Sequence, residues 1–366
     1  AHETIDQQLD LAETIAKLKP LFSDSIIKKI AHHAKFDQLV LSNYGVTNHE
    51  NIFDTLIAAS LVKQEWQSGG LKALSEYYFD EPMLTFEQIV TDKKLLHFGH
   101  VPLHDATEYA AADAHQTFKL YPILEKQITE GGFHKLLYDV ELPLMQILFR
   151  MELHGIYCDV SVLQQLDGVV MKKLREIQQT ISDLLGPNFD NINLNSPKQV
   201  EHLLFEYLKL KPQRKSEKRT GYSTDNDVLV ELTKVHVVPG YIAQYRELSK
   251  LKSTYIDALP TFINAKTGNI HTTFSQTRVA TGRLASSDPN LQNIPVEGLG
   301  STVRMAFKAK NGDLFLSADY SQIELRVLAH LSGDAVLKKA FLAGVDVHAE
   351  TAAGLFSISV DQVTKE

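Results

Sequence analysis

Leu314-Phe315-Leu316-Ser317-Ala318-Asp319-Tyr320-Ser321-Gln322-Ile323-Glu324-Leu325-Arg326 is the stretch on which the reading of this chain turns. Leu314, Phe315 and Leu316 form a short apolar run of buried-strand type. Asp319 follows it, and Ile323, Val327, Leu328 and Leu331 then recur at helical spacing. The pattern predicts a buried strand, a carboxylate at its C-terminal end and a helix immediately after. A carboxylate at a strand end is rigidly held and open to a cleft, which suits a hard divalent cation. An Asp that only caps the following helix fits the same pattern.

The 366 residues are enough for two or three domains, and 44% hydrophobic content can bury real cores. No apolar run approaches the roughly 18 residues needed to span a membrane, and no signal-peptide pattern is present. Cys158 is the single cysteine, which excludes an internal disulfide and fits a reducing cytoplasm. A net charge of −8 gives no chain-wide attraction to nucleic acid; local charge decides where a phosphate backbone binds. The chain opens on Ala1 and closes in the polar run ending Lys365-Glu366, so a fragment of a longer protein is expected.

In the N-terminal part, Asp10 with Glu13 marks a helix start, and the face Leu11, Ile15, Leu18 ends at Pro20. Ile26-Ile27 through Ala34 reads as a strand running into His33-Ala34-Lys35-Phe36-Asp37. Phe36, Leu39 and Val40 continue as an apolar helix face closed by Asn43-Tyr44-Gly45. Phe53-Asp54-Thr55 opens another helix. Asp105 to Leu124 is helical and sets Tyr109 and Asp113 on one face at i and i+4. Asp37 and Asp113, from separate helices, could hold divalent metal while Tyr109 positions a water, which is equipment for two-metal phosphodiester hydrolysis. A surface Asp113 and a core Tyr109 fit the spacing as well.

Glu141 to Gly155 is a strongly apolar helix. Asp159 caps a long one reaching Leu185, with Lys172, Lys173 and Arg175 on its exposed face, and Gly186-Pro187 stops it. Asn195-Ser196-Pro197 starts the next. Between Lys209 and Arg219 stand Lys209, Lys211, Arg214, Lys215, Lys218 and Arg219 against Glu217 alone. This is either a solvated basic loop or a loop gripping a phosphate backbone. Thr224 with Asp227 starts a further helix, and Tyr241 to Ile256 is another, carrying Arg246, Lys250 and Lys252. Asn269 to Val279 alternates like a strand after the turn Lys266-Thr267-Gly268.

Thr281-Gly282-Arg283-Leu284-Ala285-Ser286-Ser287-Asp288-Pro289-Asn290-Leu291-Gln292-Asn293-Ile294-Pro295, with Asp319 to Arg326, resembles the bacterial DNA polymerase I family, the family A DNA polymerases. Asp346-Val347-His348 with Thr351-Ala352-Ala353 resembles the stretch before that family's fingers helix. His33 to Asp37 and Tyr109 to Asp113 resemble the second and third motifs of its 3′–5′ exonuclease domain. The resemblance covers essentially the whole chain. It implies an α/β and α+β multidomain chain: a partial RNase H-like exonuclease domain over 1–135, then the N-terminal part of a polymerase domain over 136–366. The latter would comprise a mainly helical thumb at about 159–265 and part of an antiparallel-sheet palm at about 266–366.

The implied roles follow the matched residues. Asp319 and the main-chain carbonyl of Tyr320 would bind two catalytic Mg2+ ions, with Mn2+ as the alternative. Glu324 would be the steric gate that excludes a ribose 2′-hydroxyl. Gln322, Arg326 and His348 would contact the incoming deoxynucleoside triphosphate. Arg283, Gln292 and Asn293 would reach the minor groove, where correct pairs place acceptors alike. Lys252, Arg214, Lys215, Lys218 and Arg219 would hold primer-template DNA, and Asp37, Tyr109 and Asp113 would serve the exonuclease, with Asp37 and Asp113 on metal. The protein would be a cytoplasmic, nucleoid-associated monomer with no membrane contact. The family's fingers helix, its His-Asp-Glu motif and its first exonuclease motif have no match in this chain, and His33 stands where the family usually has Asn. The fragment alone is therefore expected not to polymerise. A stand-alone exonuclease and a non-catalytic DNA-binding relative are the rival readings; the former leaves the polymerase half surplus, and the latter needs neither Asp319 nor Glu324.

Overall fold

A computed structural model of the chain describes residues 8–63, 68–189, 191–216, 221–310 and 312–364. Two compact units form, Ala1–Lys308 and Ala309–Glu366.

In the first unit, α1 (Leu11–Ser23) is capped by Asp10, which accepts from Glu13 N at 2.8 Å. The helix runs past Pro20 instead of ending there, because so late in a helix the ring removes a single backbone bond. The strands β1 (Lys29–Ala31) and β2 (Ile52–Asp54) pair in parallel, Ile30 opposite Phe53. They feed α2 (Ala34–Ser42) and α3 (Thr55–Val62), over which α4 (Leu71–Phe79) and the long α5 (Leu103–Glu130) pack through Phe53, Ala58, Leu74, Leu120 and Leu124.

Asp54 locks this arrangement. Its buried carboxylate caps α3 through Leu56 N (2.8 Å) and also accepts from His33 N (3.2 Å) and Ala34 N (2.7 Å). That anchor lets His33 adopt a left-handed φ of 67°, which turns the chain from β1 into α2. Behind it, His32 Nδ1 meets Thr55 Oγ1 at 2.9 Å.

The face α2 buries is not the apolar one. Phe36 is 59% exposed and Val40 is exposed, whereas Ala34, Lys35 and Gln38 are buried. The cause lies on α6 (Leu142–His154): its buried Glu152 forms an ion pair with Lys35, and Gln146 Oε1 accepts from Gln38 Nε2 at 3.2 Å. The same Glu152 oxygen accepts from Phe274 N at 2.5 Å.

The rest of the unit is mainly helical. In α7 (Val160–Leu185) the buried positions Leu163, Leu166, Val170, Leu174, Ile177 and Ile181 keep one apolar stripe that serves two cores. Full burial of each such side chain contributes roughly 1.5–3 kcal/mol. Against it pack α8 (Pro197–Glu201), which continues as a π-turn to Tyr207, then α9 (Asn226–Thr233) and α10 (Val238–Leu251). The residue before α9 is Asp225 and not Thr224, whose buried carbonyl is taken by Arg246. The short strand β3 (Ile156–Tyr157) pairs with β4 (Asn269–Ile270), and β5 (Thr273–Ser275) with β6 (Ala285–Ser287), both antiparallel. The expected continuous strand from Asn269 breaks at Thr272, whose hydroxyl turns to the carbonyls of Ser287 (3.1 Å) and Pro289 (2.7 Å). Gly155 ends α6 at φ +66°, where an added Cβ would lie 2.7 Å from Ile270 O. The short α11 (Gly300–Arg304) completes the unit. Among the described residues no helix is long and apolar enough to cross a membrane.

The second unit holds α12 (Ile323–Ser332), α13 (Ala335–Leu342) and α14 (Val347–Phe356). The expected buried strand at Leu314–Leu316 is not formed: these residues are irregular and 93%, 62% and 88% exposed. No strand among the described residues of this unit offers them a ladder, and an isolated strand cannot satisfy its own backbone. The helix does start where its spacing predicts. Asp319 does not cap it; Gln322 does, at φ 53° and without a side-chain cap bond.

Two outcomes follow. Lys35→Met leaves Glu152 buried and unpaired, and should lower the stability of the first unit by about 3–5 kcal/mol, read as a urea midpoint shift; adding Glu152→Leu should recover most of it. Burial holds His32 down at about 4, with Asp54 opposing and His33 adding to the shift. The unfolded chain, with an ordinary His pKa near 6.5, therefore takes the proton first. This contribution is whole above about 6.5 and is lost as pH falls towards about 4, so His32→Asn should flatten the stability–pH curve across that window.

Candidate nucleic-acid and nucleotide sites

Of the exonuclease-like residues, Asp37 and Asp113 line a cleft of about 950 Å³ together with Lys28, His32, His33 and Lys72, whereas Tyr109 is not among the lining residues and packs against Phe98 in a small apolar cluster. The turn from β1 delivers Asp37 in the first turn of α2, while α5 delivers Tyr109 and Asp113. The Asp37 carboxylate reaches solvent at the cleft. The protein packed round it still raises its proton affinity, with Asp54 adding to the effect and His33 opposing it. Tyr109 is raised by its half-burial and then by the Asp113 charge. Lys72 joins the pair: its ammonium lies 3.6 Å from Asp113 Oδ1 and 4.3 Å from the Tyr109 ring centroid. Carboxylate oxygens are the donors a hard divalent cation takes, so the residue chemistry fits such an ion. Among the described residues, however, no three His, Cys, Asp or Glu side chains converge to hold one.

Of the basic loop, Lys218 and Arg219 lie outside the described residues. Its two arms close as a hairpin: Lys215 bridges Tyr222, Ser216 N donates to Gly221 O and Ser223 N to Arg214 O, both at 2.9 Å. Lys215 is exposed. Arg214 is turned towards Asp225 (3.5 Å) and Asp227 (3.8 Å). Glu201 of α8 accepts from Tyr222 N at 2.6 Å and comes so close to Gly221 that a Cβ there would push its carboxylate aside. Arg246, one of the basic residues of the Tyr241–Ile256 segment, does not stand on an open basic surface. It is half-buried and donates to Leu194 O at 2.8 Å and Thr224 O at 2.5 Å, tying α10 to both neighbouring segments. Lys252 is likewise engaged, pairing with Asp167 (2.5 Å) and Asp257 (2.8 Å), bonds that raise its pKa.

Arg283 sits on the exposed loop between β5 and β6, after Gly282 at φ +77°. Gln292 braces that loop with both ends of its amide: Oε1 accepts from Ser286 N (2.7 Å) and Nε2 donates to Leu284 O (3.0 Å). The side chain of Asn293 is exposed, while its carbonyl accepts from the buried Tyr255 hydroxyl. Asn290 and Asn293 face a second cleft, of about 1000 Å³, which Lys173 and Thr180 of α7 and Lys250 and Thr254 line from the other side.

In the second unit Asp319 and Tyr320 stand exposed on the irregular segment before α12. Gln322 hydrogen-bonds Asp346, whose carboxyl is held low first by His348 N, at 2.9 Å, and to a smaller extent by Gln322. Arg326 donates to Ser321 O at 2.9 Å and stacks its guanidinium 4.7 Å from the Phe341 ring centroid. Glu324, in the first turn of α12, and His348, in that of α14, are both exposed. Asp319, Tyr320, Gln322, Glu324, Arg326 and His348 thus fall in one small unit, on α12, on α14 and at the approach to α12.

Lys72 and Asp54 are the residues that sequence reasoning left without a site role. Asp54 carried a signal, an Asp before an apolar helix start. Lys72 carried none.

A family profile described as DNA polymerase family A matches residues 160–366, and one described as 3′–5′ exonuclease matches 1–129. DNA polymerase I of Chloroflexus aurantiacus is 42% identical over 368 residues, which cover 98% of this chain and 38% of that protein. DNA polymerase I of Treponema pallidum is 41% identical over 350 residues, 95% of this chain and 34% of that protein. The chain thus spans well under half the length of these relatives. Among solved structures, the POL domain of Pol1 from M. smegmatis, in complex with DNA primer-template and dNTP, superposes with a TM-score of 0.82 at 32% identity, over 99% of this chain and 60% of that one. With one profile running from the start of α7 to the last residue, and an exonuclease profile before it, the chain belongs to DNA polymerase family A.

Proposed function

We propose that the protein to which this chain belongs is a DNA-directed DNA polymerase that extends a primer 3′-hydroxyl, with an attached 3′–5′ exonuclease-like domain, working as a monomer in the bacterial cytoplasm in association with the nucleoid. The chain would supply the exonuclease-like part over 1–135 and the first part of the polymerase domain over 136–366. The observation that carries this reading is Asp319. It stands exposed directly ahead of α12, in a segment matched by the family profile, with Gln322, Glu324 and Arg326 on the following turn.

Family A polymerases and their exonucleases generally depend on divalent metal. Here Asp319 and the Tyr320 carbonyl would hold two Mg2+ ions, or Mn2+, and Asp37 with Asp113 would hold metal in the exonuclease-like cleft. Bound there, the ions supply charge neutralisation for phosphoryl transfer. The chain's own residues do the rest. Gln322, Arg326 and His348 bind and orient the triphosphate of the incoming nucleotide, and Glu324 excludes a 2′-hydroxyl from the sugar position. Arg283 and Asn293 donate to minor-groove acceptors, while Gln292 holds the loop that presents Arg283. Lys215 and the neighbouring basic residues hold the duplex backbone. Metal-dependent degradation of single-stranded DNA, without extension, by the full-length protein would favour the rival stand-alone exonuclease.

In the full-length protein, Asp319→Asn should lower templated extension at least about 100-fold, as removal of a charge-stabilising group at a transition state does, while primer-template affinity stays near its original value. Extension at the original rate would sink the assignment. Glu324→Ala should let ribonucleotides compete with deoxynucleotides in the same assay. On the 366-residue chain, Lys215→Glu should weaken duplex binding and reduce the salt slope by about one phosphate contact, measured by fluorescence anisotropy across a salt series.

A further inference from the structure

Lys72 makes three contacts at the edge of the exonuclease-like cleft. It lies at the amino end of α4, where it lines the cleft that also holds Asp37 and Asp113. Its ammonium is 3.6 Å from Asp113 Oδ1, sits 4.3 Å above the Tyr109 ring and donates to Leu84 O. The Leu84 bond fixes the ammonium from behind, and the ring face adds attraction to the cation. The side chain is only 31% exposed and that of Asp113 38%, so the pair is partly shielded from the solvent that weakens open surface pairs.

We propose that Lys72 is a resident counter-cation of this cleft. It neutralises Asp113 and covers Tyr109, and a divalent ion must displace it to use that carboxylate. The physical basis is competition. Asp113 offers one negative charge, an ammonium and a divalent ion both seek it, and an ion arriving with Lys72 still in place meets like charge at short range. Lys72 thereby sets how much metal the cleft takes at a given concentration. Once displaced, its four-carbon stem can carry the charge to a phosphodiester in the same cleft, because lysine acts as a mobile point charge. The inference rests on Asp37 and Asp113 being the metal-binding carboxylates of the cleft.

The test is Mn2+ binding to the whole 366-residue chain, read as the loss of the free-ion electron paramagnetic resonance signal, with circular dichroism as the check on folding. Lys72→Met should bind Mn2+ about tenfold more tightly than the original chain, the order expected for removing one partly screened charge at this distance. Lys72→Arg, which keeps the charge, should match the original chain. Lys72→Met with Asp113→Asn should lose the gain. If Asp113→Asn weakens binding but Lys72→Met leaves it unchanged, the role of Lys72 is refuted and the carboxylate reading stands. If Asp113→Asn changes nothing in either background, the carboxylate reading fails and this proposal fails with it.

Discussion

The first unit depends on one buried charge. Glu152 of α6 is 3% exposed, and a carboxylate at that depth must be paired or become neutral. Lys35 pairs it, and the Phe274 amide takes the same oxygen, so three elements distant in sequence are held to a single group. The consequences run outward. Because Lys35 and Gln38 must face α6, Phe36 and Val40 cannot, and the helix that carries Asp37 presents an apolar side away from its own core. Because Phe274 is fixed, so is the start of the hairpin whose loop carries Arg283, and the bond from Gln276 Nε2 to Glu141 holds the next residues of that loop. Desolvation offsets most of the Coulomb attraction in a buried pair, so its value here lies in register: one arrangement of α2, α6 and β5 brings the Lys35 ammonium and the Phe274 amide to the same Glu152 oxygen.

Much of the architecture was legible in the chain because it is written in local chemistry. The Asp159 cap, the apolar stripe of α7 and its stop at Gly186 need only residues near one another, as do the Ser196 cap and the i, i+4 placement of Tyr109 and Asp113. The motif from Thr281 to Pro295, with Asp319 to Arg326, identified the family. What could not be read was anything fixed by a partner far along the chain. The apolar pattern of α2 pointed to the wrong face, since nothing near Lys35 announces Glu152. Leu314 to Leu316 has the composition of a strand, but a strand exists only with a neighbour to bond. Thr224 looks like a cap and is instead a buried acceptor for Arg246. Lys72 had no local signal at all, because its meaning comes from Asp113 and Tyr109 on another helix.

The basic residues are put to more than one use. Arg246 is an internal tie and Lys252 sits between two carboxylates. Lys308 is paired with Asp159, and that hydrogen bond, followed by those from Ser161, holds the Asp159 carboxyl down at about 2. Cations that tie helices together and cations left facing solvent are thus two separate uses of the same residue types. They differ by position: the internal ties lie where helices meet, while Lys215 stands on an exposed hairpin arm.

Arg246 and Glu201 together tie that arm to the helices. Arg246 fixes the backbone at Thr224, Glu201 fixes it at Tyr222, and the Ser216–Gly221 bond closes the base. Lys215 therefore stands on backbone that is tied at several points before anything touches its ammonium. A charge shown from backbone already fixed has less freedom to lose when it is engaged than one on a loose strand, so the hairpin arm is preorganised.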